Sequence, residues 1–201
     1  MAKILAINGS PRHDGNTAHM LGTVLEICKN AGFDTELYQA GGRTVKGCLA
    51  CGKCKKNPGR CITDDWMNEL YKKMVGADAI LLGSPTYFSD LTPEMKAVID
   101  RCGYISRGDG NSLSRKIGAA VSAVRRAGGI HTLDSMQHFF LICDMIVVGS
   151  SYWNMSLSRD IGAYESDVEG VATMERLGQN IVWLLEKLLS ANNNFEVNYV
   201  T

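Results

Sequence analysis

Near its start the chain carries the segment ILAINGSPRHDGNT, which spans residues 4–17 and decides the fold. Residues 4–7 form a short apolar run of the kind found in strands that are buried on both faces of a sheet. A polar stretch follows, and from Asn16 to Asn30 the apolar residues recur at helical spacing until Gly32 ends the pattern. A buried strand, a polar turn and a helix form the repeating unit of α/β proteins, so this segment predicts an α/β fold.

Further apolar runs continue the alternation of strands and helices. The runs cover residues 33–38, 79–82, 117–124 and 145–148, and helical patterns cover 133–143 and 171–189. This order predicts right-handed crossovers and a doubly wound sheet of five parallel strands, with helices on both faces. No repeat or proline-rich linker divides the chain, which indicates one domain over residues 1–201. Two long connections, residues 41–65 and 150–170, interrupt the alternation, and connections of this length are often functional.

Composition and charge exclude several classes of protein. Of the 201 residues, 45% are hydrophobic and 21% are charged, as in a globular domain. Lys plus Arg and Asp plus Glu number 21 each, so no net charge favours nucleic acid or an anionic membrane as a partner. No run approaches the roughly 18 apolar residues that span a bilayer. The first residues do not resemble a signal peptide, and seven cysteines are too few for a secreted disulfide scaffold. We therefore expect a cytoplasmic protein.

The polar turn between the first strand and the first helix is a candidate phosphate site. Open α/β sheets bind ligands where a strand ends and a helix begins, and the helix N-terminus offers unpaired N–H groups and a positive dipole end. Ser10 and Thr17 add hydroxyl groups, Asn16 an amide, and Arg12 a permanent positive charge. The segment matches neither the Walker A loop nor the dinucleotide fingerprint. The alternative is a polar turn in which Asn16 or Thr17 caps the helix.

A second candidate segment, residues 83–90, follows the next buried strand. In a sheet of order 2-1-3-4-5, this strand and the first flank the topological switch point, where ligands bind. Pro85 stiffens the turn, Thr86 and nearby backbone amides can hydrogen-bond the edge of a heterocycle, and Tyr87 and Phe88 offer apolar planes for a flat ring. The alternative is that these aromatic residues cover the core or contact another subunit.

Together, Gly9-Ser10-Pro11-Arg12 with Gly15-Asn16-Thr17, and Gly83 to Phe88, resemble the NADPH-dependent FMN reductase family of flavodoxin-like proteins. The later Ala127-Gly128-Gly129 and residues 167–170 resemble that family as well, so the likeness covers nearly the whole chain. The resemblance implies the flavodoxin-like fold with strand order 2-1-3-4-5. It also implies that the protein binds FMN. The residues that would contact it are Ser10, Arg12, Asn16 and Thr17 at the phosphate, Pro85, Thr86, Tyr87 and Phe88 beside the isoalloxazine ring, and Gly128 and Gly129 at the far edge of that ring.

The activity that this resemblance implies is hydride transfer from NAD(P)H to FMN, which then reduces a small acceptor such as a flavin, a quinone or a nitroaromatic. No catalytic side chain is expected, since the flavin ring carries this chemistry. The resemblance also implies a homodimer or homotetramer. A flavin-dependent sensor or scaffold without turnover is a further class, which no residue specifically favours.

The third candidate is a set of four cysteines in the long connection 41–65: Cys48, Cys51, Cys54 and Cys61. Three thiols at this spacing can converge on one iron–sulfur cluster, with a fourth arriving after a short turn. Neighbouring lysines and Arg60 would favour thiolates. The motif resembles the compact cysteine motif of iron–sulfur flavoproteins, a branch of the same family. That resemblance implies a [4Fe–4S] cluster and a protein that passes single electrons to a ferredoxin-like partner. Free thiols or a disulfide are the alternatives, and zinc fits the spacing less well.

Overall fold

The computed structural model describes residues 1–190, and the last part of the predicted domain, residues 191–201, lies outside the described residues. The strands are β1 (Lys3–Asn8), β2 (Asp34–Gln39), β3 (Ala79–Pro85), β4 (Ile117–Val124), β5 (Ile146–Val147) and β6 (Met155–Leu157). The helices are α1 (Asn16–Asn30), α2 (Trp66–Val75), α3 (Pro93–Gly108), α4 (Gly129–Ile142) and α5 (Val168–Ser190). Within these residues, no helix is long and apolar enough to cross a bilayer.

The strands form one parallel sheet in the order β2-β1-β3-β4-β5, which confirms the predicted order 2-1-3-4-5. The sheet has a core on each face, because successive residues of a buried strand point to opposite sides. Leu5 and Ile7 pack with α2, α3 and α4 on one face. Ile4 and Ala6 pack with α1 and α5 on the other. Helices therefore cover both faces, as the predicted doubly wound arrangement requires.

The edge of the sheet differs from the prediction of five strands. Strand β5 pairs only with Ile117 and Gly118 at the start of β4, and β6 pairs with residues 122–124 at its end. The position next to β4 is therefore filled by two short strands, and β6 is a sixth strand. The predicted long connection 150–170 contains this strand and a short 3-10 turn at Ala163–Ser166. Three residues are too few to produce a recognisable sequence pattern.

The helices agree with the predicted patterns in part. Helix α1 spans Asn16–Asn30 as predicted, whereas α4 begins at Gly129, four residues before its predicted start. Helix α3 was not among the predicted elements, although Thr92 caps it and Pro93 opens it, both ordinary start signals. Its amphipathic pattern is broken by the buried Arg101, which stands where an apolar residue would be expected.

The end of β2 supports the turn between β1 and α1 through side-chain hydrogen bonds and close packing. The Gln39 side chain accepts a hydrogen bond from Asn8 Nδ2 at 2.7 Å and donates from Nε2 to the Ser10 carbonyl at 2.7 Å. Gly41, two residues later, lies against this turn so closely that an added Cβ would stand 2.2 Å from the carbonyl carbon and oxygen of Ser10. The position of the turn therefore depends on a glycine at residue 41.

The segment after β6 lies on the first turn of α1, where His19 joins two carboxylates. His19 Nε2 lies 2.5 Å from Asp14 in the β1–α1 turn, and Nδ1 contacts Glu165 in the 3-10 turn. The Asp14 carboxylate has the largest effect and raises the pKa of His19 above its ordinary value of 6.5; partial burial opposes this rise, and Glu165 adds to it. Protonated His19 thus ties the segment to the turn.

We predict that Gly41→Ala lowers the free energy of unfolding by about 1–3 kcal/mol, the usual cost of forcing atoms into a packed site. Gly47→Ala is the matched control, because an added Cβ at that glycine meets no atom within 4 Å. Chemical denaturation of both variants measures the difference. Equal stability of the two variants would show that Gly41 does not constrain the turn.

We also predict a pH dependence that arises from His19. Because folding raises its pKa, its contribution to stability is present below about pH 6.5 and is lost as the pH rises through the raised value. The partners are exposed, so the loss amounts to about 0.5 kcal/mol. Denaturation curves from pH 6 to 8 should show this loss, and His19→Gln should abolish it. His13→Gln, an exposed histidine of the same turn, should leave it unchanged; a profile unaltered by His19→Gln contradicts the assignment.

Candidate functional site

A cavity of about 220 Å³ opens at the carboxyl ends of β1, β3 and β4, where a ligand of an open α/β sheet is expected. It brings together seven of the residues predicted from sequence, from two separate segments: Ser10, Arg12, Asn16, Thr17, Pro85, Thr86 and Tyr87. The remaining wall consists of Gly15, Ala123, Arg125, Ser158 and Arg159. Two loops predicted as parts of one site thus share one cavity.

The β1–α1 end of this cavity offers donors for an anion. Gly15 is the N-cap of α1, and within the described chain no side chain caps this helix and no acidic residue lies in its first turn. The first N–H groups of the helix are consequently free for a ligand. The Ser10 hydroxyl accepts from the Arg12 N–H at 3.2 Å, which leaves its own hydrogen to donate. Three arginines, Arg12, Arg125 and Arg159, line the same cavity and make it positive.

The side chain of Asn16 has a different role from the predicted one. Its Nδ2 donates to the carbonyls of Ser158 and Asp160 at 3.2 and 2.8 Å, and its Oδ1 accepts from the N–H groups of Gly162 and Tyr164 at 3.1 and 3.3 Å. These four bonds use the full capacity of the amide. Asn16 therefore fastens residues 158–164 over α1, and only its backbone N–H is left to face a phosphate.

Thr86 is likewise occupied within the protein. Its Oγ1 lies 3.0 Å from both the Ser122 and the Thr132 hydroxyls, and its N–H donates to the Ala123 carbonyl at 2.9 Å. The side chain thus joins the ends of β3 and β4 to the first turn of α4. A ligand ring would meet the backbone of this segment and the neighbouring side chains of Pro85 and Tyr87.

Phe88 lies at the tip of a tight turn in which Tyr87 and Asp90 exchange backbone hydrogen bonds of 2.7 and 3.0 Å. Phe88 and Ser89 both have left-handed backbone conformations, with φ of 48° and 65°. Such conformations cost energy in residues other than glycine and cluster at functional sites. The Phe88 ring is fully exposed to solvent, and Tyr87 is 45% exposed. The rings of Tyr87 and Phe88 therefore lie beside the cavity and remain accessible to solvent.

Gly128 and Gly129 lie at the start of α4 and border a neighbouring cavity of about 280 Å³, which Tyr152 and Trp153 also line. Gly128 has φ of +88°, and an added Cβ would stand 2.8 Å from the Ser89 Cα. The close approach that this glycine permits in the described chain is therefore to the 87–90 turn. From the sequence, these glycines were expected to approach a flavin ring, but they line a different cavity from the seven predicted residues of the first one.

The four cysteines of the long connection share a second site. Cys48, Cys51, Cys54 and Cys61 line one cavity, closed on the far side by Arg101, Tyr104 and Ile105 of α3. All seven cysteines are free thiols, so the disulfide alternative is not found. Across residues 1–190, no three His, Cys, Asp or Glu side chains are grouped to hold a single metal ion. A [4Fe–4S] cluster takes one cysteine thiolate at each of its iron atoms, and a cavity walled by four thiols fits that donor set.

The cysteine loop is attached to the fold mainly through its last two cysteines. The Cys61 N–H donates to Asn68 Oδ1 at 2.9 Å, and Asn68 Nδ2 donates back to the Cys61 carbonyl at 3.3 Å. The Cys54 thiol donates to the Tyr104 carbonyl at 3.5 Å. Gly108 lies against the backbone of Cys54, where an added Cβ would be 3.0 Å from its carbonyl oxygen. Helices α2 and α3 therefore hold Cys61 and Cys54, while Cys48 and Cys51 are exposed.

A buried ion pair closes the loop. Arg101 of α3, 1% exposed, makes two parallel hydrogen bonds to the Asp65 carboxylate at 2.7 and 2.8 Å. Burial opposes the charge on both groups, but the pairing outweighs it and lowers the pKa of Asp65 below its ordinary value. Asp65 also caps α2 by accepting from the Met67 N–H, the capping role that its place before this helix indicates. One carboxylate therefore anchors both the end of the loop and the start of the next helix.

Helix α3 contacts the β1–α1 turn at its start and the cysteine cavity along its second half. Thr92, which caps this helix, donates from its hydroxyl to the Gly9 carbonyl at 2.8 Å in the β1–α1 turn. Gly108, the last residue of the helix, contacts Cys54. The two cavities share no lining residue, and the cysteine cavity lies against Arg101, Tyr104 and Ile105 of this helix of 16 residues.

Sequence reasoning missed several of the residues that form these sites. Arg159 and Ser158 line the first cavity, and the only sequence signal for them is the length of the connection that contains them. Arg125 also lines the first cavity. No sequence signal marks Arg101 as buried, because a basic residue in a helical pattern is usually exposed.

Comparison with known proteins agrees with this architecture. Residues 2–160 match the model of a family described as NADPH-dependent FMN reductase. An iron–sulfur flavoprotein from Methanocaldococcus jannaschii is 33% identical over 186 residues, which cover 89% of this chain and 95% of that protein. One from Methanosarcina thermophila is 33% identical over 192 residues, covering 92% and 95%.

Solved structures give the same fold at low identity. A WrbA-like flavodoxin from Agrobacterium tumefaciens matches with a TM-score of 0.64 and 16% identity, over 93% of this chain and 99% of that one. An archaeal flavodoxin matches with a TM-score of 0.59 and 15% identity, over 92% and 99%. The fold is accordingly flavodoxin-like. The chain belongs to the NADPH-dependent FMN reductase family, in its iron–sulfur flavoprotein branch, and is a flavin-dependent oxidoreductase.

Proposed function

We propose that this protein holds FMN and a [4Fe–4S] cluster and passes electrons between them and a ferredoxin-like partner. The observation that carries the proposal is that four cysteines, spread over 14 residues of sequence, line a single cavity closed by α3. The two relatives named iron–sulfur flavoprotein support an iron–sulfur group and a flavin. Residues 1–201 would act as one flavodoxin-like domain, with the cysteine-rich connection 41–65 as an insertion.

FMN would bind across the first cavity with its phosphate at the start of α1. The Ser10 hydroxyl, the Arg12 guanidinium, Thr17 and the free backbone N–H groups from Asn16 onward would hold the phosphate. Pro85 and Tyr87 would border the ring, with Phe88 beside it. The bound flavin supplies hydride and one-electron chemistry. The residues of this chain bind it, orient it and leave one side of the site open.

The cluster would be held by Cys48, Cys51, Cys54 and Cys61. Lysines around these thiols, and Arg60 beside Cys61, would favour the thiolate forms that bind iron. The same exposed cations would attract a negatively charged redox protein to this face. The partner would then meet the cluster, which lies away from the first cavity.

A second candidate function is reduction of a small acceptor, such as a flavin, quinone or nitroaromatic, with NAD(P)H as the hydride donor. The observation in its favour is the open site: Tyr87 and Phe88 are exposed, and the cavity beside Gly129 adjoins the same turn. Exposed Tyr152, Trp153 and Leu157 at that cavity would also serve as a contact with a second subunit in a homodimer or homotetramer.

We predict that Arg12→Ala weakens FMN binding by about 1.5–3 kcal/mol, the scale of a hydrogen bond to a charged group. Riboflavin, which lacks the phosphate, should bind the variant as well as it binds the original protein. Titration of both ligands measures the effect, with Arg176→Ala as a control because Arg176 is exposed on α5. Equal losses for FMN and riboflavin would exclude a phosphate contact.

We predict that protein prepared and reconstituted without oxygen contains about four irons per chain, as expected for a four-cysteine cluster. Cys54→Ala should abolish or destabilise this component and leave FMN bound, because the flavin site lies on other loops. Cys28→Ala is the matched control, since that thiol is buried in the core under α1. An iron assay and an absorption spectrum before and after dithionite measure both cofactors.

The Cys54→Ala variant also distinguishes an electron carrier from a reductase of small acceptors. If the protein is an electron carrier, Cys54→Ala should lose transfer to a one-electron partner, and the original protein should turn over little NADPH or NADH. Rapid steady-state turnover that survives the substitution favours the second function. Reconstituted protein that shows flavin alone would refute the cluster.

A further inference from the structure

Arg101 is the largest side chain that is fully buried in the described chain. Burying a charge costs several kcal/mol unless partners compensate for it. The guanidinium has five N–H donors, and its two terminal nitrogens use four of them. They donate to both Asp65 oxygens and to the carbonyls of Lys46 and Thr63, the latter two at 3.3 and 3.2 Å. These partners lie at both ends of the cysteine loop, so the four bonds fix the plane of the guanidinium.

The fifth donor, the Nε–H group, is buried and has no hydrogen-bond partner. Leaving such a donor unpaired costs the free energy of its lost hydration, so buried donors of this kind are rare and call for an explanation. Two other buried polar atoms of residues 1–190 are also unpaired, on Tyr38 and Asn111, but neither residue lines the cysteine cavity. Arg101 does line it, together with all four cysteines.

Cys61 is the cysteine that interacts with this guanidinium. It lies two residues before Thr63, whose carbonyl accepts from the guanidinium at 3.2 Å, and it lines the same cavity as Arg101. The Cys61 backbone is itself fixed by Asn68. The unpaired donor lies on α3, and the backbone of the fourth cysteine is held by Asn68 of α2, so that both groups border the same cavity.

We propose that Arg101 donates a hydrogen bond from Nε–H to the Cys61 sulfur when a cluster is bound, and thereby raises the reduction potential of that cluster. This inference rests on the proposed cluster. A cluster gains negative charge when it accepts an electron, and hydrogen bonds to its sulfurs are among the factors that set its potential. A buried cation with one N–H directed to a ligand sulfur favours the reduced form. Arg101 is thus a positioning residue that acts through Cys61.

Only arginine can make all of these contacts at once. Its planar fork binds the Asp65 carboxylate with two parallel bonds while Nε points sideways from the same plane. Lysine would keep the charge and could pair with Asp65, but it has no second donor fixed in that direction. Arg101→Lys therefore removes the Nε–H hydrogen bond and keeps the positive charge, so a change in the reduction potential reports on the hydrogen bond.

The test is a redox titration of the cluster in anaerobically reconstituted, FMN-loaded protein, followed by electron paramagnetic resonance. At one fixed solution potential, Arg101→Lys should lower the ratio of reduced to oxidised cluster about tenfold, which is 59 mV for a one-electron couple. Arg107→Lys, an exposed position on the same helix, should leave the ratio unchanged. An unchanged ratio in Arg101→Lys overturns the proposal.

A second measurement decides the question even if Arg101→Lys fails to fold or to assemble a cluster. Protein with its original sequence is labelled with ¹⁵N-arginine, and the reduced cluster is searched for a hyperfine coupling to ¹⁵N. The coupling should be present, and it should persist in labelled Arg107→Lys, whose arginine is exposed on the same helix. If iron-loaded protein shows no coupling, or if Arg107→Lys loses it, the role of Arg101 is overturned while the cluster stands. Protein that never holds iron overturns the proposed cluster as well.

Discussion

The contact between Gly41 and Ser10 is the constraint on which both sites depend. The polypeptide leaves β2 and turns directly under the β1–α1 loop, with no room for a side chain at Gly41. Gln39 reinforces the contact by binding the Asn8 side chain and the carbonyls of Ser10 and Gly41. This packing sets the shape of the loop that offers donors to an anion. It also sets the point from which the cysteine-rich insertion leaves the sheet.

The other end of the insertion depends on a buried ion pair. Arg101 binds Asp65 and the carbonyls of Lys46 and Thr63, so one guanidinium holds the segments on either side of the cysteines. Removing one partner of such a pair leaves a buried charge uncompensated, which is why the arrangement is costly to alter. Between these two anchors the loop itself is mostly exposed. The fold thus fixes where the thiols lie without burying them.

Helix α3 contacts both sites. Its cap binds the β1–α1 turn, and its last residue supports Cys54. A flavin in the first cavity and a cluster among the cysteines would lie at different places on the surface, each open to its own partner. In this arrangement a small donor or acceptor would approach the aromatic turn at Phe88, and a protein partner would approach the basic loop.

The sequence by itself determined the alternation of strands and helices, the bounds of α1 and seven of the residues around the first cavity. These follow from local patterns, because an apolar run predicts a buried strand, helical spacing predicts a helix, and glycine with hydroxyl residues predicts a turn suited to an anion. The strand order followed from the family resemblance. The four cysteines were equally visible, because their spacing is a property of sequence. Only the tertiary structure decided what each side chain does. The Asn16 amide and the Thr86 hydroxyl had the right chemistry for a ligand, but segments distant in sequence use up their hydrogen bonds. Gly128 is needed for contact with Ser89, and Arg101 is buried because Asp65, 36 residues away, compensates its charge. Hydrogen bonds and ion pairs between distant segments depend on packing in three dimensions, which local sequence patterns do not specify.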